Sequence, residues 1–424
     1  MTSVPIPRPQ PVPAPVAPPA AGPPPPVSSA LMVVRMSGRD ELAVVHKRVY
    51  VWRHGQEPKR SPAPALLREN PVPWPEPLEG RGPSYRHQVD AAGWRLGTDL
   101  IIHGTAQSAR PVSMLRLAVR TAGRTVEALA WGERRLERRG GTWQFGEAEP
   151  FTSLVLRDEY AYGGRDPEVE AEVAAEARSR MGEEKWRRLA PALEGMLRGH
   201  QPLAYPRNQH GLGYVLKNRD QLAGRALPRL ERADDRLTPE RLVLSAPFAW
   251  LEQPLPMLWG GMPPYAFPRT AMMGLPPTGY EPGMDCPEIR RGLLPGTFCH
   301  GNVHSTAQAD LPKLLDPAVA SCADLQLRFA AGLAPRARLD FTGLDLAGVG
   351  LTTAVPGDRP LARIPDPGGG KQLDLAMNLS ELDVDTDAGT MSAIYTARHP
   401  LAQPPTPTVL AMVASGLSIT ERGN

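Results

Sequence analysis

The sequence contains little cysteine, and its three residues, Cys286, Cys299 and Cys322, cannot all pair with one another. They are too few for the disulfide framework that holds small secreted domains together. A long apolar run is also missing, because the most apolar stretch near the end, residues 409–419, is far shorter than the roughly 20 residues that span a bilayer. We therefore expect a reduced, cytoplasmic protein with no membrane span.

A large excess of charge of either sign is absent as well. The 48 basic and 45 acidic residues give a formal net charge of +3, and the pI is about 8.8. This near balance provides no electrostatic argument for a nucleic-acid-binding protein. We therefore expect no nucleic acid among the partners.

Proline and glycine, in contrast, are abundant, with 50 prolines and 40 glycines among 424 residues. Twelve of the prolines lie in the first 26 residues, which predicts an extended, disordered leader over residues 1–30 that is partly polyproline II. Proline inside a helix costs about 3 kcal/mol, so the remaining prolines disfavour a helical bundle, a coiled coil or a helical solenoid.

Short alternating segments after the leader predict a mainly β fold. Residues 114–119 alternate in polarity, and Ala122-Gly123 connects them to residues 124–131 as a hairpin. We expect β-sandwich-like, antiparallel sheets with long loops rich in proline and glycine. Further strands are predicted at residues 142–145, 151–156, 339–341, 373–377 and 391–395.

One segment is typical of a helix. Asp166 suits the N-cap position, Pro167 suits the first helical position, and an Ala/Glu/Arg-rich stretch follows, which predicts a helical insertion over residues 167–199. Proline and glycine become dense again over residues 201–296, and we expect a wall of loops there because several large aromatic side chains can pack it.

These features divide the chain into four expected parts. They are the leader over 1–30, an N-terminal β-rich part over 31–245 that carries the insertion, a C-terminal loop-rich and β part over 246–410, and a tail over 411–424.

Two sequence patterns imitate metal sites without completing them. His300 and His304 are four residues apart and follow Cys299, but the residues between them are poor helix formers and no C-x-x-C motif is present. Residues 383–387 imitate the start of an EF-hand loop, but the twelfth position is Ile394 rather than Glu, which predicts a solvated hairpin tip. We therefore predict no metal and no cofactor.

Several phrases, taken in order, resemble a known family. They are WRLGTDLIIHGTA at 94–106, PFTSL at 150–154, EYAYGGRD at 159–166, YPRN at 205–208 with Gly211 and Gly213-Tyr214, and LPRLE at 227–231. Their order is similar to domain of unknown function 2169, a family found with bacterial type VI secretion systems. The likeness covers roughly residues 31–400 and is strongest between Trp94 and Glu231.

The resemblance implies a non-enzymatic adaptor or chaperone that binds a toxic effector protein and helps to load it onto the secretion spike protein. We expect the contacts to use exposed loops and sheet edges. The alternatives are a structural component of the secretion apparatus and a metal-dependent hydrolase that uses His300, His304 and a neighbouring Asp or Cys. The candidate protein-binding residues are Tyr162, Gly163, Gly164, Arg207, Asn208, His210 and Glu231.

Overall fold

Strands joined by turns and loops form most of the protein, as the alternating segments predict. The computed structural model describes residues 28–36, 39–68, 71–76, 78, 84–88, 90, 97–185, 197–198, 201–244, 249–262, 323–329 and 331–421. The predicted leader, apart from residues 28–30, and His300, His304 and all three cysteines lie outside these ranges. Within the ranges, no helix has both the length and the apolar character that a membrane span requires.

The strands are short in most of the chain and longest near its two ends. In chain order they are β1 (Ser29–Met36), β2 (Arg39–Val51), β3 (Lys59–Arg60), β4 (Val72–Pro73), β5 (Tyr85–His87), β6 (Thr98–His103), β7 (Thr105–Val112), β8 (Met114–Thr121), β9 (Arg124–Trp131), β10 (Leu136–Arg139), β11 (Thr142–Phe145), β12 (Phe151–Val155), β13 (Tyr162–Gly163), β14 (Leu197–Arg198), β15 (Gln201–Pro202), β16 (Leu212–Gly213), β17 (Leu230–Arg232), β18 (Arg328–Phe329), β19 (Arg338–Thr342), β20 (Leu351–Ala354), β21 (Pro360–Ile364), β22 (Leu373–Ala376), β23 (Asn378–Asp385), β24 (Thr390–Pro400) and β25 (Ser418–Glu421). The α-helices described are α1 (Pro167–Met181) and α2 (Pro407–Ser415).

The predicted hairpin between β8 and β9 is confirmed. Ala122 and Gly123 have φ angles of 49° and 73°, the left-handed values that a tight two-residue hairpin turn requires. Gly140 and Gly141, with φ angles of 57° and 84°, connect β10 to β11 in the same way. Local turn chemistry therefore determines both hairpins.

Two sheets provide the main architecture. The seven-stranded sheet has the order β1-β2-β24-β23-β6-β18, with β3 also pairing with β2, and its one parallel pair joins β23 to β6. The five-stranded sheet, in the order β17-β9-β8-β19-β20, is antiparallel throughout. Both sheets combine strands from before and after residue 245, so the boundary expected there does not separate two sheets.

A single apolar core lies between the two sheets. Leu42 and Val384 come from the seven-stranded sheet, Leu117 and Phe341 come from the five-stranded sheet, and all four are buried in the same cluster. The rings of Trp52 and Phe341 connect the two sheets with their centroids 6.3 Å apart. The fold is therefore mainly β and sandwich-like, as expected, and we call this part the sandwich.

A second apolar core lies beneath the loops. We call residues 201–244 and 249–262, together with β13 and α1, the loop-rich region. Its core includes Tyr162, Tyr205, Tyr214 and the fully buried Trp250. The aromatic side chains thus pack the described part of the expected loop wall, and the remainder, residues 263–296, lies outside the described residues.

The two ends of the predicted helical insertion differ from each other. Asp166 caps α1 as expected, because its carboxylate accepts the N–H of Val169 at 3.4 Å. Residues 197–198, at the other end, form β14 and pair with β15 rather than continuing a helix. The expected tail is also structured, since α2 extends into it and β25 adds to a three-stranded sheet in the order β22-β21-β25.

Candidate functional site

Most of the predicted protein-binding residues meet where two loops lie against each other. We call residues 161–164 the double-glycine loop and residues 205–213 the return loop. The strands β13 and β16 pair in parallel between them over two register positions. The N–H of Gly164 also donates to the carbonyl oxygen of Asn208 at 2.8 Å. The fold therefore joins the two phrases that carried most of the family resemblance.

Glycine is required at both positions of the double-glycine loop. Gly163 and Gly164 have φ angles of 144° and 99°, values that residues with a Cβ rarely adopt. A Cβ on Gly163 would lie 2.9 Å from the Cβ of Asn208, and a Cβ on Gly164 would lie 3.1 Å from the carbonyl carbon of Gly211. The close approach of the return loop, as well as the backbone angle, excludes any larger residue.

Asn208 connects the two loops through its side chain. Its Nδ2 donates to the carbonyl oxygens of Asp158 at 2.7 Å and Tyr162 at 3.2 Å. Its Oδ1 accepts the N–H of His210 at 3.2 Å. Because Asn208 is fully buried, these bonds satisfy polar groups that water cannot reach.

Arg207 is buried beneath the return loop, with 1% of its surface exposed. Its Nη1 donates to the hydroxyl of Tyr205 at 2.9 Å and to the carbonyl oxygen of Trp250 at 3.0 Å. Its Nη2 donates to the carbonyl oxygen of Leu251 at 3.3 Å, and the guanidinium lies 5.3 Å from the centre of the Trp250 ring. Carbonyl dipoles and aromatic faces thus surround this charge.

Tyr162 belongs to the same buried aromatic group. Its hydroxyl donates to Oε1 of Gln253 at 3.0 Å, and its ring meets that of Tyr205 edge-on at 5.0 Å between centroids. Burial and the neighbouring Tyr205 and Tyr214 raise the pKa of Tyr162 well above its usual range, so the hydroxyl remains neutral. The tyrosines of this group therefore remain neutral and form a hydrogen-bonded layer around the charge of Arg207 under the two loops.

Glu231 lies on β17, one residue after the position that bridges Ala161 of the double-glycine loop. Its carboxylate is 3.1 Å from Nη2 of Arg134 and 3.4 Å from Nε of Arg236. Burial lowers the pKa of Arg134, and the charge of Glu231 opposes that shift. Glu231 therefore compensates a buried arginine at the border between the sandwich and the loop-rich region.

The predicted protein-binding residues have two different roles, according to whether they are buried. All of them except His210 are buried, so in the folded chain they position the loops. His210 is half-buried and, with Gln209, Gly163 and Gly164, lines a cleft of about 630 Å³. A role for these residues in contacting a partner protein stays a prediction, and the part of the site that is open to a partner is this cleft.

Asp166 is a central residue of the site that the candidate set lacks. Its carboxylate accepts the N–H of Leu216 at 3.1 Å and is 2.6 Å from Arg219 and 3.2 Å from Arg225. Burial alone would raise the pKa of Asp166, but the hydrogen bond from Leu216 and the two arginines lower it overall. Local sequence patterns indicate Asp166 only as a helix cap, because its other partners follow the insertion.

A second polar cluster, which we call the His–His–Asp cluster, lies at one end of the seven-stranded sheet. Nδ1 of His87 is 3.2 Å from Oδ2 of Asp383, and Nε2 of His103 is 3.3 Å from Oδ1 of the same carboxylate. Asp383 and Asp385 are buried in β23, so the solvated tip expected over 383–387 is wrong for these two residues, whereas Asp387 in the turn after β23 is exposed. The parallel pairing of β23 with β6 places these acids beside the strand that ends at His103.

The cluster is arranged around an ionised Asp383. Burial would raise the pKa of this carboxyl, but the charge that His103 can carry, together with the contacts of His87 and Arg68, holds it well below its usual range. Burial lowers the pKa of His87, although the hydrogen bond with Asp383 opposes that shift. No pattern within one segment could have indicated the cluster, because its members lie on three separate strands or strand ends.

The comparison with known families covers both of these sites. A family model described as "Uncharacterized protein conserved in bacteria (DUF2169)" matches residues 37–396. The chain belongs to the DUF2169 family. The double-glycine loop, the return loop and the His–His–Asp cluster of this DUF2169 protein all lie within the matched residues. No curated protein and no solved structure matches the chain.

Proposed function

We propose that the protein is a non-enzymatic adaptor or chaperone that binds a type VI secretion effector in the cytoplasm and assists its loading onto the secretion spike protein. Membership of the DUF2169 family supports this proposal through the association of that family with type VI secretion. The structural feature that supports protein binding best is the open edge of the seven-stranded sheet at β1.

The backbone of β1 presents a row of hydrogen-bonding groups to its outer side. The carbonyl oxygen of Ser28 accepts the N–H of Lys47 at 2.9 Å, which makes Ser29 and His46 a non-hydrogen-bonded pair of the ladder. Pairing types alternate along an antiparallel ladder, so every second residue directs its N–H and C=O away from β2. These residues are Ser29, Leu31, Val33 and Arg35.

Among the described residues, no strand pairs with this outer side of β1. The strand reads SALMVVRM and contains one charged residue, Arg35, so it lacks the charges and prolines that usually protect an edge. Leu31 and Val33 pack against the sandwich core, which anchors the strand while their backbone groups face outward. An extended segment of an effector could therefore continue the sheet.

The edge of the five-stranded sheet at β20 provides a contrast. The N–H of Gly55 donates to the carbonyl oxygen of Thr352 at 2.8 Å, and the N–H of Thr352 donates to Nδ1 of His54 at 3.1 Å. A loop of the same chain thus occupies the backbone groups of Thr352. The chain covers part of this edge itself, whereas no strand of the described ranges pairs with the outer side of β1.

The proposal is tested by co-expressing the full chain with toxin candidates encoded beside its gene and measuring co-purification. Val33→Pro removes one outward N–H without removing a donor to β2, since proline is tolerated where the N–H of an edge strand faces outward. Val33→Ala is the matched control because it reduces the side chain but keeps the N–H. We expect Val33→Pro to reduce effector capture by about two- to tenfold, the equivalent of one lost hydrogen bond, and Val33→Ala to retain capture.

Two results would contradict the proposal at different levels. Equal capture by Val33→Pro and Val33→Ala would exclude strand addition at β1. Failure to capture any neighbouring toxin, together with normal effector export after deletion of the gene, would exclude the adaptor function. Fixed stoichiometry of the protein in assembled secretion particles would favour a structural component instead.

A further inference from the structure

We propose that the His–His–Asp cluster of His87, His103 and Asp383 binds a divalent transition metal, with zinc as the first candidate. Two imidazoles and one carboxylate are a common protein ligand set for zinc, with a fourth position left to water. The ligand atoms of the three side chains all lie within 4.8 Å of one another. The proposal is independent of the adaptor function and concerns a different part of the molecule.

The ring of His103 provides the first argument. Only 2% of its surface is exposed, and among the described residues its Nε2 makes no hydrogen bond of normal geometry, only the 3.3 Å contact with Oδ1 of Asp383. A buried polar atom without a partner costs about 1 to 3 kcal/mol. A metal ion bound to Nε2 would satisfy the nitrogen that lies 3.3 Å from Oδ1 of Asp383.

The distances between the ligand atoms provide the second argument. Bonds of about 2.0 to 2.1 Å to zinc place neighbouring ligand atoms of a tetrahedron about 3.3 Å apart. Nε2 of His103 and Oδ1 of Asp383 are 3.3 Å apart, which agrees with that edge length, whereas Nδ1 of His87 lies 3.2 Å from the other carboxylate oxygen, Oδ2. The two histidines face different oxygens of the carboxylate, so a small rotation of His87 would bring its nitrogen toward the ion.

Arg68 provides the third argument, because it fixes the orientation of the carboxylate. Its Nη2 is 3.0 Å from Oδ2 of Asp383, which leaves Oδ1 directed toward His103. Asp90 holds Arg68 in turn at 2.7 Å, and Lys47 lies 2.6 Å from Asp90. Ligating carboxylates are commonly held by such outer hydrogen bonds, which orient them toward the metal.

A metal ion could reach the cluster from solvent, and a small cavity lies beside it. His87 is half-buried, so an ion could enter along its side of the site. His103 lines a small cavity of about 10 Å³, which is close to the volume that holds one water molecule. Gly260 forms another part of that cavity, and a Cβ added there would lie 3.6 Å from Nδ1 of His103. The absence of a side chain at Gly260 keeps this space open beside the imidazole.

The test is a titration of the full-length chain, freed of metal with a chelator, with Zn²⁺ by calorimetry and with Co²⁺ by visible absorption. We expect one ion per chain at this cluster and the absorption bands of tetrahedral cobalt. His87→Asn, which changes the more exposed ligand, should weaken zinc binding at least about tenfold, and His103→Gln should weaken it further. His54→Asn, a substitution of an exposed histidine outside the cluster, should leave the affinity unchanged.

A second set of variants separates this site from the other histidines of the sequence. The double variant His300→Ala/His304→Ala should still bind zinc and cobalt as the unsubstituted chain does. Loss of binding in this double variant with retention in His87→Asn would overturn the proposal. So would the absence of any zinc or cobalt binding, which would mean that the cluster binds protons only. Circular dichroism of each variant verifies that a lost affinity does not reflect a lost fold.

Discussion

In the sandwich, backbone groups pair with one another along ladders. The ladder between β2 and β24, for example, covers eleven register positions. In the loop-rich region, apart from β17, which joins the five-stranded sheet, the described ladders are only two residues long, and individual side chains replace them. Asn208, Arg207 and Asp166 each bind several backbone or side-chain groups there. A ladder distributes its free energy over many equivalent bonds, whereas a loop held by a few buried polar side chains depends on each of them.

The largest difference between the regions should follow from adding one methyl group to a glycine. Gly163→Ala combines an unfavourable backbone angle with overlap against Asn208, and we expect it to lower the free energy of unfolding by about 4 kcal/mol. Gly123→Ala has a φ of 73° but no atom within 4 Å of the new Cβ, so it should cost only about 1 kcal/mol.

Urea unfolding measures both glycine variants, and hydrogen exchange determines where the effect is located. In Gly163→Ala the amides of Tyr205 and Tyr214 should lose more protection than that of Ala128 in the sandwich. Similar losses of stability for the two variants would show that the close contact with the return loop contributes little.

Removing one arginine from each region should give the next largest contrast. Arg207→Met leaves two buried carbonyl oxygens and a tyrosine hydroxyl without their donor, and we expect a loss of about 3 kcal/mol. Arg116→Met in β8 removes an exposed ion pair with Glu127 and should change the stability by less than about 0.5 kcal/mol. Thermal and urea unfolding of both variants measure the two losses of stability. Equal losses would contradict the prediction that the buried arginine contributes more.

Acid should weaken the two regions in different pH ranges. Burial, assisted by the charges of Arg48 and Arg60, lowers the pKa of His46 in the sandwich from 6.5 to about 4. Between these values the unfolded chain binds a proton at His46 that the folded chain does not, so stability falls as the pH falls through this window, by about 2 kcal/mol. His46→Gln should reduce this dependence in urea unfolding series between pH 7 and pH 4, and the remainder includes the contribution of His87, whose pKa burial also lowers.

Asp166 in the loop-rich region provides the matching test at lower pH. Because its pKa is lowered from 3.8, its contribution is fully present above that value and is lost only as the pH falls further. Asp166→Asn should therefore leave the slope between pH 7 and pH 4 unchanged. If Asp166→Asn reduced the slope of stability against pH between pH 7 and pH 4, His46 would not be the source of that pH dependence.

Local signals explain what the sequence could predict. The turn at Ala122-Gly123 and the cap at Asp166 depend on residues that are neighbours in the chain, and both are confirmed. The His–His–Asp cluster depends on the parallel pairing of β6 with β23, which joins distant segments and leaves no periodic pattern. The candidate set around Gly163 and Asn208 came from the order of motifs, which indicates a shared structure but does not reveal burial.

The pairing of β2 with β24 has a consequence for the synthesis of the protein. Residues 41–51 are made early, but their partners, residues 390–400, are made last among the strands of the seven-stranded sheet. Until then the nascent hairpin of β1 and β2 has one sheet edge more than the finished fold, and that edge includes the apolar segment Leu42–Val45. Such long-range pairing delays folding and prolongs exposure to aggregation. A ribosome-bound chain that ends before residue 390 should therefore depend on molecular chaperones to remain unaggregated.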